Sequence, residues 1–347
     1  MRLISGTESR CAKVQNGISG ASEMSLSRGF GVLSSVPAKK NPSQKDKTML
    51  EELEIAKRID IRPLRVVVIG AGLVGGSAAQ AMLLLNKLQV SIVEIDSGVR
   101  RSALDYGIES QLDLSNLDEM DLALLAIPPD QTASAAIYLL QTYPSLIVSD
   151  TASVKGEIDQ QIRAAVLPSQ LERWVPGHPL VGGGVGWKDA KADLYNGHTW
   201  LLFPSESNSQ ALAAVESLLG RIGAFVQHTS LAEHDVTLAY TSHLVQLVAC
   251  ALQLAVADNV SDWSLSGTGL KDTTRVSRLD PEMWKAIVLF NQPDITQAID
   301  DVQQQLKSLQ ELIAAKDWQA LGEWLEAASA SRSALEAARW PADPSAS

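Results

Sequence analysis

A doubly wound α/β sheet followed by an all-helical domain is the architecture this sequence predicts, on three observations. Short β-branched runs alternate with helical periods from residue 62 to about 229. The first of those runs ends in a glycine-rich turn, and beyond Thr229 strand signals give way to long stretches of helical spacing rich in Ala, Leu, Gln and Glu. Strands alternating with helices argue for a parallel sheet covered on both faces. Helical periods alone argue for packed helices.

The elements follow in order. Residues 65–70, Arg-Val-Val-Val-Ile-Gly, form a strand ended by glycine, and an apolar helix is predicted over 77–87. Further strands are predicted at 89–95, at 122–127 where Pro128 and Pro129 stop it, and at 146–149, with a helix over 132–141. Two more strands, 199–203 and 224–227, flank a helix at 209–222. The helical part is read as 231–257, 281–291, 295–315 and 318–338. The domain reading is therefore an N-terminal extension over 1–61, a dinucleotide-binding domain over 62–229, a helical substrate and dimerisation domain over 230–338, and a tail over 339–347. Residues 1–48 are Ser- and Gly-rich and basic, which predicts a disordered extension; its acid-poor character also suits an organellar transit peptide.

Composition bounds the function. With 46% hydrophobic and 20% charged residues, the chain has the material for a large core. Forty acidic residues against 29 basic ones give a net charge of −11, which repels a phosphate backbone, so no nucleic-acid partner is expected. Cys11 and Cys250 stand far apart without CxxC spacing, so neither a zinc site nor a disulfide framework is indicated. The apolar run 244–257 is broken by Gln246 and Gln253 and falls short of the roughly 20 residues a membrane span requires. The expectation is a soluble cytoplasmic chain without a membrane partner, or a plastid one if the extension is a transit peptide.

Gly70-Ala-Gly72-Leu-Val-Gly75 has the GxGxxG spacing that turns the chain tightly, brings backbone close to a pyrophosphate and lets the helix pack on the strand. Its helix directs an N-terminus at the phosphates. Glu94 lies 19 residues past Gly75 and Asp96 lies 21 past, where a carboxylate binds ribose hydroxyls. This is a Rossmann-type pattern. The candidate cofactor residues are Gly70, Gly72, Leu73, Val74, Gly75, Glu94 and Asp96, with Ala126 and Pro128 at the end of a later strand. An acid at the ribose favours NAD; Arg100 and Arg101 keep NADP open.

All five histidines fall between His178 and His243 without HxxxH or HxH spacing, so no metal is predicted. His178 stands out because Pro and Gly on both sides, in Trp174-Val-Pro-Gly-His-Pro-Leu, predict a loop that presents the imidazole. Imidazole is the side chain best suited to take a proton near neutral pH. His234 is read as structural.

Several segments, taken together and in order, resemble the prephenate and arogenate dehydrogenases: the stretch Val66 to Ser77, Asp150-Thr-Ala-Ser-Val-Lys-Gly156, Gly177-His-Pro179, His234-Asp235, Ser242-His-Leu244, and Lys271-Asp-Thr-Thr-Arg-Val276 followed by Asp280-Pro-Glu-Met-Trp284. The resemblance covers roughly residues 62–330. It implies an NAD(P)-dependent oxidative decarboxylation of a cyclohexadienyl alcohol in tyrosine biosynthesis, and a homodimer formed through the C-terminal helices. It implies His178 as acceptor of the ring-hydroxyl hydrogen bond, Ser153 as the neighbour orienting it, Arg275 on a substrate carboxylate, and His243 and Gln246 as substrate-binding residues. The sequence departs from the family where a second histidine often follows the Ser-His-Leu histidine; here Gln246 stands there, and Gly184 replaces an acid found in some members. A neutral glutamine permits arogenate and does not forbid prephenate. Two other readings stand beside this one: a related dehydrogenase acting on an amino-substituted prephenate, and a non-catalytic nucleotide-binding sensor. More modest roles are a helix cap near Val154 for Ser153, a surface ion pair for Arg275 and a buried structural place for His243.

Overall fold

The computed structural model describes residues 63–182, 184–205 and 208–339. The expected N-terminal extension lies outside the described residues, as does nearly all of the expected tail. Strand β1 (Leu64–Ile69) is followed by α1 (Leu73–Leu83), β2 (Leu88–Val93), α2 (Ser97–Tyr106), β3 (Glu109–Gln111), β4 (Leu122–Leu125), α3 (Pro129–Thr142), β5 (Ile147–Asp150), α4 (Gly156–Ala165), a single turn α5 (Pro168–Leu171) and β6 (Trp174–Val175). The six strands form one sheet in the order β3-β2-β1-β4-β5-β6, parallel throughout. Chain order reverses between β1 and β4, and such a switch point opens a crevice outside the carboxyl ends of the strands.

The β1 and β4 residues Val66, Val67, Val68, Leu122, Ala123, Leu124 and Leu125 are all buried, which is why these runs are apolar without alternation. Val66 and Val68 face a core with Ala78 and Met82 of α1, while Val67 and Ile69 face one with Leu139 and Leu140 of α3. A three-stranded sheet follows: β7 (Gly177–Pro179) runs antiparallel to β8 (Thr199–Leu202), which pairs in parallel with β9 (Phe225–His228) after α6 (Ser209–Arg221). Trp200 of β8 and Leu218 of α6 join the α1 side of the core.

The helical part comprises α7 (Leu231–Leu238), a π turn at Ala239–His243, α8 (Leu244–Asn259), α9 (Thr268–Thr274), a 3₁₀ turn at Arg275–Ser277, α10 (Pro281–Phe290), α11 (Gln292–Ala315) and α12 (Trp318–Arg339). It seats on the sheet part through α10, whose Ile287 joins the α3 side of the core, with Trp284 and Phe290 packed around it.

Four expectations are corrected. Helix α1 begins at Leu73, not at 77, because the glycine motif itself supplies its first turn. Gly177–Pro179 is a strand, not a loop: pairing with β8 and a hydrogen bond from the Gly177 N–H to Asp150 hold it extended despite its composition. The expected helix near Val154 begins at Gly156, so Ser153 does not cap it. The predicted single helix at 231–257 is interrupted by the π turn, yet Leu231–Asn259 is continuous, and by length and composition alone it could cross a bilayer. Its middle is tied into the bundle by buried Ala239 and Leu244, which pack with Ile295 and Ala298 of α11.

Candidate active site

The nucleotide end is built at the carboxyl tips of β1 and β4. Gly70 has φ +88°, and a Cβ there would lie 2.4 Å from the Ala126 carbonyl oxygen. At Gly75 a Cβ would lie 1.9 Å from the Gly70 oxygen and 2.7 Å from the Ala126 Cβ, so only glycine lets α1 approach the loop. Gly72 is different: its φ of −72° and extended ψ suit any residue, and nothing lies within 4 Å of a Cβ built on it. The space over Gly72 is what a bound pyrophosphate needs. Leu73 and Val74 open α1; the Val74 carbonyl accepts from the Tyr195 hydroxyl at 2.5 Å. Pro128 precedes α3, and its carbonyl accepts from the Thr132 hydroxyl.

The two candidate acids do different work. Glu94 accepts from the Ala71 N–H at 2.8 Å and the Asp96 N–H at 2.9 Å, which fastens its carboxylate against the glycine loop. Asp96 instead caps α2, accepting from the Gly98 and Val99 N–H groups. Arg100 donates to the Glu94 and Ile95 carbonyls, so its guanidinium stands close behind the acid. These features fit a dinucleotide with free ribose hydroxyls.

The candidate catalytic end lies past β5. Asp150, fully buried, accepts from the Ala152 and Gly177 N–H groups and ion-pairs with the equally buried Lys155. Burial pushes the Lys155 ammonium down against the opposing pull of Asp150. By holding Gly177, Asp150 fixes β7 and therefore His178. The His178 ring is buried, and its Nδ1 lies 2.9 Å from Nε2 of His234. His234 Nδ1 lies 2.7 Å from Oδ1 of Asp235. Desolvation, aided by the nearby Lys155 ammonium, holds His178 well below the usual histidine range, so it is neutral at physiological pH. Asp235 also reaches back across the chain, accepting from the Lys155 N–H and, at 2.6 Å, from the Gly156 N–H at the start of α4.

The remaining candidates are spread around this cluster. Ser153 is half-buried two residues before Lys155 and makes no hydrogen bond among the described residues. His243, in the π turn, is buried edge-on to Trp284. Its Nδ1 lies 3.3 Å from the Asn291 amide nitrogen, which also donates to the Asp235 carbonyl, and its Nε2 is buried without a partner. Burial pushes His243 down to about 4. Gln246 lies one turn further on and donates its amide to the Val276 carbonyl. That bond holds the turn carrying Arg275, whose exposed guanidinium makes no ion pair among the described residues. At Gly184 a Cβ would lie 2.7 Å from that of Asp189, whose carboxylate accepts from the Val185 N–H; Asp189 occupies the space an acid at 184 would need. Among the described residues no three His, Cys, Asp or Glu side chains converge as a metal site.

Sequence reasoning missed Asp150, Lys155, Asp235 and Asn291, and set His234 aside as structural. Asp150, Lys155 and the His234-Asp235 pair stood inside the quoted motifs, but their meeting is tertiary: 56 residues separate the two histidines.

Comparison with known proteins agrees with this geometry. Residues 83–228 match the prephenate dehydrogenase nucleotide-binding domain and residues 230–327 match the prephenate dehydrogenase dimerization domain. The chain is 30% identical to a cyclohexadienyl dehydrogenase of Zymomonas mobilis over 283 residues, 78% of this chain and 96% of that protein. It is 26% identical to a prephenate dehydrogenase of Bacillus subtilis over 78% of this chain and 76% of that one. Among solved structures, a prephenate dehydrogenase from A. aeolicus in complex with hydroxyphenyl propionate and NAD+ superposes with a TM-score of 0.73 at 26% identity, covering 80% of this chain and 99% of that one. A Synechocystis arogenate dehydrogenase superposes at 0.67, also 26% identical, over 78% of this chain and all of the other. With a sheet in dinucleotide-binding order, a neutral imidazole at its carboxyl edge and these matches across both halves, the chain belongs to the prephenate dehydrogenase family.

Proposed function

We propose that this protein oxidises prephenate, arogenate or both with NAD, with loss of CO2, using His178 as the base. The observation that carries the proposal is the buried, uncharged His178 imidazole whose Nε2 makes no hydrogen bond among the described residues, fixed at the carboxyl edge of a dinucleotide-binding sheet. When bound, NAD supplies the two-electron acceptor for the ring carbinol carbon. His178 takes the hydroxyl proton as that carbon becomes carbonyl-like. The ring carboxylate leaves as CO2, its bonding pair closes the aromatic ring, and the oxygen is reprotonated to a phenol. Burial keeps His178 neutral, so the base is available without first losing a proton. Glu94, held at the glycine loop, accepts from the ribose hydroxyls and disfavours a 2′-phosphate. Arg275 binds a substrate carboxylate, and Ser153, without another hydrogen-bond partner among the described residues, orients hydroxyl and imidazole. The matched dimerization domain supports a homodimer, and a second copy, in preference to a membrane, covers the exposed apolar side chains Val245, Val248, Leu252 and Leu254 of α8.

The test is absorbance of reduced cofactor with NAD or NADP and each of the two substrates. Turnover is expected with NAD and at least one of them, and His178→Asn is expected to lower kcat by about two to four orders of magnitude with little change in KM. Arg275→Gln is expected to raise the substrate KM with less effect on kcat, since it removes the guanidinium that pairs with the substrate carboxylate. No turnover in any combination, with nucleotide still bound, would overturn the proposal and leave the sensor and the dehydrogenase of an amino-substituted prephenate as the readings.

A further inference from the structure

We propose that His234 and Asp235 are positioning residues that hold His178 in the one tautomer whose Nε2 can accept the substrate proton. The inference rests on the reading of His178 as the base. It follows from counting hydrogens. Both Asp235 oxygens face backbone N–H groups, Oδ1 toward Lys155 at 3.1 Å and Oδ2 toward Gly156 at 2.6 Å, so Asp235 is an ionised acceptor with no proton to give. The proton between Asp235 and His234, 2.7 Å apart, is therefore on His234 Nδ1. A neutral His234 then has a lone pair on Nε2, and the 2.9 Å contact there requires a hydrogen on His178 Nδ1. That leaves His178 Nε2 bare.

The competing arrangement, a charged His234 donating from Nε2, would put the His178 hydrogen on Nε2 and block the base. It would also place a cation on a fully buried ring close to the buried Lys155. Asp235 does not need that cation for neutralisation, because the N-terminus of α4 already supplies two N–H groups and a favourable dipole. Once His178 has taken the substrate proton, the same chain of acceptors stabilises the imidazolium. Phe203, edge-on to the His234 ring at a 5.0 Å centroid distance, keeps that ring in plane for both bonds.

Asp235→Asn tests this. The amide oxygen must take the place facing Gly156, leaving the amide nitrogen toward His234 Nδ1. Both imidazole tautomers then reverse while the Gly156 bond of the α4 cap is kept, with the Lys155 N–H left only its longer 3.3 Å contact to the same oxygen. Long-range ¹⁵N–¹H spectra of the five histidines, assigned with His178→Asn, are expected to show His178 protonated on Nδ1 in the native protein and on Nε2 in the variant. In the same variant kcat is expected to fall about 10²- to 10⁴-fold, with KM values for substrate and NAD changed less than about threefold. A second pair guards against a folding defect: His234→Gln can still accept from His178 Nδ1 and donate to Asp235, so it is expected to retain at least about tenfold more turnover than His234→Leu. An unchanged tautomer in folded Asp235→Asn, or equal losses in the two His234 variants, would overturn the proposal. Full turnover in His178→Asn would instead sink the reading of His178 as base, while the tautomer result would still stand or fall separately.

Discussion

At the scale of single residues, burial decides the chemistry. His243 has no partner for Nε2 among the described residues and is pushed down to about 4, chiefly by burial, although Asp235 pulls it the other way. Its folded value lies below the unfolded one of about 6.5. Between those values the unfolded chain binds more protons than the folded one, so stability rises with pH through this window and is lost as pH falls from about 6.5 toward 4. His178 acts in the same direction. Urea midpoints taken at pH 7 and pH 5 are expected to show the loss, and His243→Gln is expected to shrink it; equal midpoints in the native protein would contradict the assignment. Glu94 illustrates a side chain with two duties. Glu94→Ala removes both the proposed ribose acceptor and the brace on Ala71, whereas Glu94→Gln keeps a carbonyl oxygen for the brace. The ratio of kcat/KM for NAD over NADP should fall in both variants, and nucleotide affinity should fall further in the alanine one.

At the scale of elements, the glycine turn separates two reasons for glycine that the motif itself merges. Gly75→Ala forces a Cβ into the Gly70 carbonyl and is expected to destabilise the fold by about 1 to 3 kcal/mol, like other overpacked sites. Gly72→Ala meets nothing in the protein. It should leave the melting temperature unchanged within about 2 °C while raising the NAD KM about tenfold or more, a loss of about 1.4 kcal/mol. Melting curves and nucleotide titrations on the two variants decide the point, and a Gly72→Ala protein that melts early or binds NAD normally would place the pyrophosphate elsewhere. Strong periodic elements were legible: β1, β2, β4, β5, β8 and β9 lie within a few residues of their predicted positions, as do α3, α6 and α10 to α12. The three-residue strands β3 and β7 and the two-residue β6 were not, because they owe their extension to neighbours and not to their own composition. In β7 a glycine and a proline flank His178, and pairing with β8 overrides their loop signal.

At the scale of the whole molecule, the family match and the two-part architecture were readable from periodicity and motif order, whereas the assembled site was not. The cofactor end was largely legible because its residues are close in sequence. The partners of the proposed base were hidden because His178 and His234 come from different halves of the chain. Large exposed apolar side chains on the helical part, among them Leu254 at 66% and Leu289 at 68%, agree with the proposed dimer. Sedimentation at micromolar concentration is expected to give twice the 37.2 kDa chain mass, and a compact monomer there would remove the dimer.

One carboxylate joins these scales. Asp235 belongs to the first helix of the helical part, yet its oxygens cap the start of α4 of the sheet part and bond the ring behind His178. With His178 as the proposed base, the seam between the halves and the readiness of that base are a single variable. A small slip there, too slight to melt any helix, would unseat the cap and release both rings together. In dilute denaturant, turnover should therefore vanish before circular dichroism changes, as if the enzyme carried a fuse at the joint between its halves.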